Sequence, residues 1–178
     1  MDDGVWVFGY GSLIWDPGFV PAATEVARLS GWHRSFCMWS VVYRGTQADP
    51  GLVLALDAAE DAQCDGLAFR IAGAEAAATL AALRARELIS YAYRERELPV
   101  TLASGAEVTA LAYVIDRDHA QYAGRLALED QAAIIARCHG QRGPNRDYLF
   151  STAAHLAALG MADADLDWLV ARVRALQG

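Results

Sequence analysis

The sequence predicts an α+β domain whose sheet can close into a small mixed β-barrel surrounded by helices. Apolar runs typical of strands fall within the first 115 residues, an alanine-rich helical segment interrupts them, and helical patterns occupy the C-terminal third. A regular alternation of strands and helices, which would predict a parallel sheet, is not seen. With 178 residues the chain is long enough for one well-buried core, so we expect a single domain over residues 1–178.

Six segments have the composition of strands, with β-branched, aromatic and other apolar residues between glycine, proline or aspartate. The first of them runs directly into a glycine-rich turn, and the last two are separated by a short polar stretch. The predicted strands span residues 5–10, 32–40, 52–56, 66–71, 98–102 and 108–115.

Four segments predict helices, the first of them rich in alanine, which is the strongest helix former. Gly160 stands where a glycine that ends a helix is expected, and Asp163 or Asp165 can cap the last helix. Asn145 can cap the helix before it. The predicted helices span residues 74–87, 129–139, 146–159 and 165–176, so the last three are C-terminal helices.

The charge and the N-terminus restrict the class of partner. A formal net charge of −7 argues against a general nucleic-acid binder or a binder of anionic membranes, because either would face like-charge repulsion. A small molecule is therefore the expected partner. The chain begins with no basic and apolar leader, and no run approaches the roughly 20 apolar residues of a membrane helix. We expect a cytoplasmic protein.

The cysteines and histidines show no metal or disulfide pattern. Cys37, Cys64 and Cys138 are odd in number and far apart, so we expect buried, inert thiols. Cys138 and His139 are adjacent, but neighbours on a helix point about 100° apart and do not readily form a thiol and imidazole dyad. A thiol-dependent hydrolase or transferase that uses Cys138 is the weaker alternative. The four histidines have no metal-ligand spacing.

The glycine-rich turn after the first strand predicts an anion site. Such a turn leaves backbone N–H groups free, and its glycines let a carboxylate or phosphate approach the main chain. It is not a dinucleotide fingerprint, because the third glycine would fall at Ile14, and it lacks the lysine of a P-loop. A turn with no ligand remains the alternative. The candidate binding residues are Gly9, Tyr10, Gly11, Ser12, Leu13 and Ile14.

Glu87 is the candidate acid or base. It follows Leu80 and Leu83 on one face of the alanine-rich helix, so a carboxylate ends an apolar stripe. Burial and the negative end of the helix dipole would both raise the pKa of this carboxyl, which would suit proton transfer near neutral pH. Arg84 and Arg86 oppose that effect, and a salt-bridged residue at the helix end is the alternative.

Other polar residues are weaker candidates. Glu95 and Glu97 lie in a charged run and predict a solvated strand or turn. The glycine-containing loops at residues 44–46 and 142–145 could line a polar pocket or only turn the chain. Tyr148, one turn into the following helix, could direct its hydroxyl inward.

In chain order, four of these pieces resemble the ChaC family of γ-glutamylcyclotransferases. They are VFGYGSLIW at residues 7–15, YRGT at 43–46, RE at 86–87 and RGPNRDYL at 142–149. The opening motif with its leading strand is fairly specific to the family, whereas the pair of arginine and glutamate alone does not identify it. The resemblance spans nearly the whole chain.

The resemblance implies a γ-glutamylcyclotransferase-like fold and an enzyme that cleaves glutathione to 5-oxoproline and cysteinylglycine without metal or cofactor. It implies that residues 9–14 hold the γ-glutamyl group and that Glu87 is the catalytic acid and base. It also likens Tyr148 to a tyrosine that helps to line the pocket.

Two departures from the family pattern bear on the leaving group. Tyr43 stands where several relatives have histidine, and Leu88, Ile89 and Ser90 replace a glycine-bearing segment found after the acid in some members. Another γ-glutamyl amine or peptide therefore remains an alternative substrate. A non-catalytic protein that binds a γ-glutamyl-type molecule is a second alternative, because it would need the turn but not Glu87.

Overall fold

The computed structural model describes residues 4–90 and 92–178, which form two compact units. The first unit contains residues 4–34 and 56–116, apart from residue 91, and the second contains residues 35–55 and 117–178. The expectation of one domain stays a prediction. Among the described residues, none of the helices has the length and hydropathy that crossing a membrane requires.

A closed barrel of five strands, with four α-helices in the described residues, confirms the α+β class. The strands follow one another around the barrel in the order β1, β3, β2, β4, β5, and β3 also pairs with β5. The strands are β1 (Val5–Gly9), β2 (Ala23–Ser40), β3 (Gly51–Ile71), β4 (Tyr93–Leu102) and β5 (Glu107–Ile115).

The prediction of two separate strands at residues 52–56 and 66–71 is wrong, because both belong to β3. The intervening residues 58–63 are mostly exposed and consist of alanines and polar residues, so they show no strand-like apolar pattern. Backbone pairing along a strand does not require apolar side chains, and the pattern therefore missed its continuity. For the same reason β2 begins at Ala23, well before the predicted start at residue 32.

Strand β1 places the glycine-rich turn. It pairs antiparallel with β3, from Val5 opposite Ile71 to Gly9 opposite Leu67, and parallel with β5. The strand is apolar, has neighbours on both sides and is buried over its last three residues, Val7 to Gly9. Its last residue, Gly9, opens the turn. The core of the first unit includes Val7, Phe8, Leu29, Leu56, Phe69, Leu83, Val100 and Tyr113.

The helices agree closely with the predicted segments. They are α1 (Gly73–Glu87), α2 (Leu128–Arg137), α3 (Asn145–Ala158) and α4 (Ala164–Leu176). Helix α2 ends two residues early because His139–Gly140 pairs with Gly143–Pro144 in a small two-stranded sheet.

The predicted helix ends are correct at two positions and wrong at a third. Gly160 has a φ of +72°, the left-handed conformation that glycine adopts readily after a helix. The Asp163 side chain accepts a hydrogen bond from Leu166 N at 3.1 Å and caps α4. Asn145, however, is the first residue of α3 rather than its cap, because its amide is committed to Leu52.

Candidate active site

The turn at residues 9–14, hereafter the 9–14 turn, has the free donors that its sequence predicts. After β1, residues Ser12–Ile14 form one 3-10 turn, in which Ile14 N donates to Gly11 O at 2.9 Å. Within residues 4–90 and 92–178, no hydrogen bond uses the backbone N–H of Gly11, Ser12 or Leu13. Three consecutive donors at the start of a helical turn are suited to an anion.

Packing gives Gly9 a second reason to lack a side chain. A Cβ at Gly9 would lie 2.9 Å from the Phe69 ring and 3.1 Å from Leu13 Cβ. Across the sheet, a Cβ at Gly66 would collide with the Gly9 carbonyl oxygen. The two glycines therefore let β1 and β3 approach closely. A contact of Gly9 with substrate stays a prediction.

The side chains of the 9–14 turn are directed largely into the protein. Tyr10 is 7% exposed and donates its hydroxyl to Tyr113 O at 2.7 Å, while Leu13 and Ile14 are buried. These side chains hold the turn in place, whereas the backbone N–H groups of Gly11, Ser12 and Leu13 remain available. If the turn binds substrate, its backbone is therefore the part that makes the contact.

Glu87 ends α1 as the sequence predicts, with its side chain 15% exposed. One side chain joins it to the 9–14 turn. Arg86 places Nε 3.3 Å from Glu87 Oε1, and its Nη2 donates to Ser12 Oγ at 3.3 Å. Its Nη1 donates to Asp16 O at 2.6 Å. The structure thus brings the candidate acid and the candidate turn to one place in the first unit.

The sequence did not indicate this role for Arg86. The sequence predicts only that Arg86, like Arg84, opposes a raised pKa of Glu87. The structure separates the two arginines, because Arg84 binds Glu95 instead, with Nε and Nη2 each 2.9 Å from the carboxylate. Helical spacing alone cannot show which carboxylate each arginine takes.

The prediction that Glu95 is merely solvated is wrong. Its side chain is only 20% exposed, and it accepts a hydrogen bond from the Tyr113 hydroxyl at 3.0 Å. The two residues are direct partners across β4 and β5, so counting outward from the turn between these strands would have paired them. The sequence could have indicated this pair, but only once the register between β4 and β5 was known.

Electrostatics link this pair to Glu87. The Arg84 hydrogen bond holds the pKa of Glu95 below its usual value. Burial raises the pKa of Tyr113, and the negative charges of Glu95 and Glu87 act in the same direction. Glu87 is therefore close enough for its charge to act on the Tyr113 hydroxyl, which stays protonated.

Tyr148 lies in the second unit and is 9% exposed. Its hydroxyl accepts a hydrogen bond from Leu54 N at 3.3 Å, and the Phe36 ring meets it edge-on at 6.0 Å between centroids. The Arg44 guanidinium lies 5.7 Å from the Tyr148 ring centroid. These contacts fix the tyrosine firmly, and its part in substrate binding stays a prediction.

The two glycine-containing loops of the sequence meet within the second unit. Arg44 Nη1 donates to Arg142 O at 3.0 Å and to Pro144 O at 3.2 Å. Asn145 is fully buried and forms two hydrogen bonds with the backbone of Leu52, at 2.8 Å from its N–H and 2.7 Å to its carbonyl. Hydrogen bonds therefore hold the two loops together, a tertiary contact that the hydrophobic periodicity of the sequence could not indicate.

The cysteines are buried, as predicted. Cys37, Cys64 and Cys138 are all free thiols. Burial raises the pKa of Cys138 to about 11, so its thiol is neutral at physiological pH. In the described part of the chain, no three histidine, cysteine, aspartate or glutamate residues come together as metal ligands would.

The fold is that of the γ-glutamylcyclotransferases. The solved structure of a yeast γ-glutamylcyclotransferase specific to glutathione superimposes with a TM-score of 0.87, over 97% of this chain and 96% of the other. The two sequences are 24% identical, so this likeness shows the fold alone.

The sequence comparisons show the family. The sequence model of the ChaC-like protein family matches residues 5–176, so the chain belongs to that family. A protein of Escherichia coli named glutathione-specific γ-glutamylcyclotransferase is 36% identical over 176 residues, which are 98% of this chain and 75% of that protein. The human glutathione-specific γ-glutamylcyclotransferase 1 is 30% identical over 158 residues, covering 88% and 71% of the two chains.

Proposed function

We propose that this protein is a γ-glutamylcyclotransferase that cleaves glutathione to 5-oxoproline and cysteinylglycine. One observation carries the proposal: Arg86 joins Glu87 to the 9–14 turn, so a carboxylate lies beside a loop with free N–H donors. The names of the E. coli and human relatives support glutathione as the substrate.

The substrate supplies its own nucleophile in this reaction. The α-amine of the γ-glutamyl group attacks the γ-carbonyl carbon and forms the C–N bond of a five-membered lactam. The amide bond to the leaving amine breaks, so the atoms balance without water, metal, oxidant or reductant. The enzyme mainly has to fold the γ-glutamyl chain back on itself, since well-oriented intramolecular reactions reach effective molarities of about 10⁵–10⁸ M.

The 9–14 turn would hold the α-carboxylate of the γ-glutamyl group. The N–H groups of Gly11, Ser12 and Leu13 are donors that the described protein does not use itself. A carboxylate accepts such hydrogen bonds strongly because it is charged. Fixing the carboxylate also restricts the neighbouring α-amine, which brings the nucleophile towards the γ-carbonyl.

Glu87 would move the protons. An amine attacks only when it is neutral, so the carboxylate takes the proton that the α-amine loses. It then returns a proton to the departing nitrogen, which leaves as an amine. General acid and base catalysis of this kind is worth typically about 10²–10⁴-fold.

The leaving group is less constrained than the γ-glutamyl half. Tyr43, one of the departures from the family pattern, is 40% exposed, and the Arg142 guanidinium lies 4.3 Å from its ring centroid. Ile89, in the segment that follows Glu87, is 67% exposed. Because these positions depart from the family pattern, we keep other γ-glutamyl amines and peptides as alternative substrates.

We also propose that the reaction takes place in the cytoplasm, and that neither nucleic acid nor a membrane is a partner. Three free cysteines suit a reducing compartment. The net charge of −7 disfavours polyanions.

The test is direct. The purified protein is incubated separately with glutathione, γ-glutamyl-alanine and γ-glutamyl-ε-lysine in the presence of EDTA, and 5-oxoproline is measured. We expect 5-oxoproline to be released fastest from glutathione, at a rate that EDTA does not change. Lactam from another compound alone would make that compound the substrate in place of glutathione. No lactam from any of the three compounds would favour the non-catalytic alternative.

A further inference from the structure

Arg34 is a buried arginine that touches the 9–14 turn. It lies in β2, is 5% exposed, and its Nη1 donates to Tyr10 O at 3.1 Å and to Asp65 O at 2.9 Å. Arginine stays charged, and burying a charge is costly unless hydrogen bonds compensate for it. The two carbonyl bonds, together with the negative charge of the Asp65 side chain, help a guanidinium to occupy this position.

The bond to Tyr10 sets the direction of the next N–H group. The described peptide bonds are all trans, so the carbonyl of one residue and the N–H of the next point in opposite directions. With the Tyr10 carbonyl directed at Arg34, the Gly11 N–H points away from it. Gly11 N–H is also the first of the three donors that the described residues leave unused.

We propose that Arg34 is a positioning residue that orients the Tyr10–Gly11 peptide so that the Gly11 N–H faces the anionic end of the substrate. This inference rests on the proposed function and deepens it. Arg34 does not touch the reacting atoms. It acts through one peptide plane, and its loss should weaken substrate binding much more than the chemical step.

Arg28 provides a matched control. It is also an arginine of β2, and its Nε and Nη2 bind the carboxylate of Asp65 at 2.7 and 3.1 Å. It thus shares the residue Asp65 with Arg34 but has no bond to the 9–14 turn. Its side chain is 55% exposed, so truncation should be well tolerated.

The experiment compares wild type, Arg34→Met, Arg34→Lys and Arg28→Met. Losing a charge-assisted hydrogen bond predicts a roughly 10- to 100-fold rise in KM for glutathione in Arg34→Met, with kcat changed much less. Arg34→Lys keeps the charge, but its ammonium stops short of the position of Nη1, so KM should rise there too. Arg28→Met should keep the KM of the wild type.

A second readout does not depend on turnover. With ¹⁵N-glycine labelling, the Gly11 amide resonance should move when 5-oxoproline or glutathione binds to the wild type. In the Arg34 variants the resonance should be displaced before any ligand is added, and the response to ligand should be weaker. Arg28→Met should match the wild type in both respects.

The outcomes separate the two hypotheses. A wild type that releases no 5-oxoproline contradicts the proposed function, and the Gly11 resonance still tests Arg34. A folded Arg34→Met with unchanged KM and an unchanged Gly11 resonance overturns the role of Arg34. Should Arg34→Met not fold, the same two measurements on Arg34→Lys decide.

Discussion

Arg86 donates a hydrogen bond from Nη2 to Ser12 Oγ at 3.3 Å, and its Nε lies 3.3 Å from Glu87 Oε1. A single guanidinium therefore binds both the candidate turn and the candidate acid. The two features are 75 residues apart in the chain when counted from Ser12 to Glu87, yet they occupy one site. This side chain therefore bridges the acid and the turn.

Removing Arg86 should weaken catalysis without unfolding the protein. Arg86→Met loses the bonds to Ser12 and Asp16 O and the contact with Glu87, so we expect kcat/KM for glutathione to fall about 10-fold or more. Steady-state kinetics give the measurement. The control is Arg94→Met, which removes the ion pair between the exposed Arg94 and the half-buried Asp116 in the same unit. Equal activity in the two variants would contradict the role given to Arg86.

Glu95 should stabilise the protein only above acidic pH. The Arg84 hydrogen bond lowers its pKa in the folded state from the ordinary value of 4.5. The unfolded state therefore binds the proton first, and the stabilisation is complete above about pH 4.5 and lost as pH falls through the folded-state pKa.

Glu95→Gln should consequently be less stable than wild type at pH 7, and the difference should shrink as the pH falls below the ordinary glutamate pKa of 4.5 and through the lowered pKa of the folded state. Denaturant unfolding at several pH values measures it. Glu97→Gln, at an exposed position of the same strand, makes the same charge change without this partner and serves as the control. A difference that stays constant with pH would contradict the linkage.

Asn145 should matter for stability through Leu52. Asn145→Ala leaves a buried backbone N–H and carbonyl without their partner, and each unsatisfied group costs about 1–3 kcal/mol. Urea unfolding should show that loss, whereas Gln141→Ala, which shortens an exposed amide nearby, should be close to neutral. Equal stability of the two variants would show that the bonds to Leu52 contribute little.

Cys138 should be unreactive in the folded protein. Burial raises its pKa to about 11, and the thiolate is the form that alkylating reagents attack. We expect 5-oxoproline release to survive iodoacetamide at neutral pH, and Cys138→Ala to keep its activity. Alkylation after unfolding in urea is the control for the reagent. Inactivation that Cys138→Ala prevents would revive the thiol-dependent alternative.

Periodicity and propensity predicted most elements, because long helices and buried strands depend on local pattern. The apolar stripe of α1 correctly placed Glu87 at its end, and β1 with its turn was correct within one residue. The pattern missed the middle of β3 because its exposed alanines and polar residues show no strand-like apolar pattern. The sequence therefore split one strand into two.

The contacts that assemble the site were harder to predict. Whether Arg84 or Arg86 pairs with Glu87 depends on where the 9–14 turn lies, which is a tertiary property. Likewise, the Asn145 side chain does not cap the helix, because it forms hydrogen bonds with the buried backbone of Leu52, which is far away in sequence. Local preference is overridden when a buried polar group would otherwise stay unpaired.

The central claim is that Glu87 transfers the protons of lactam formation, and Glu87→Gln tests it most directly. Gln keeps the size and shape of the side chain but cannot accept the proton. The control is Glu75→Gln, an exposed position in the first turn of the same helix. We expect 5-oxoproline release from glutathione to fall by about 10²–10⁴-fold in Glu87→Gln. Glutathione binding, measured by calorimetry, should be largely kept, and Glu75→Gln should match wild type. Turnover near the wild-type rate in Glu87→Gln would contradict the claim.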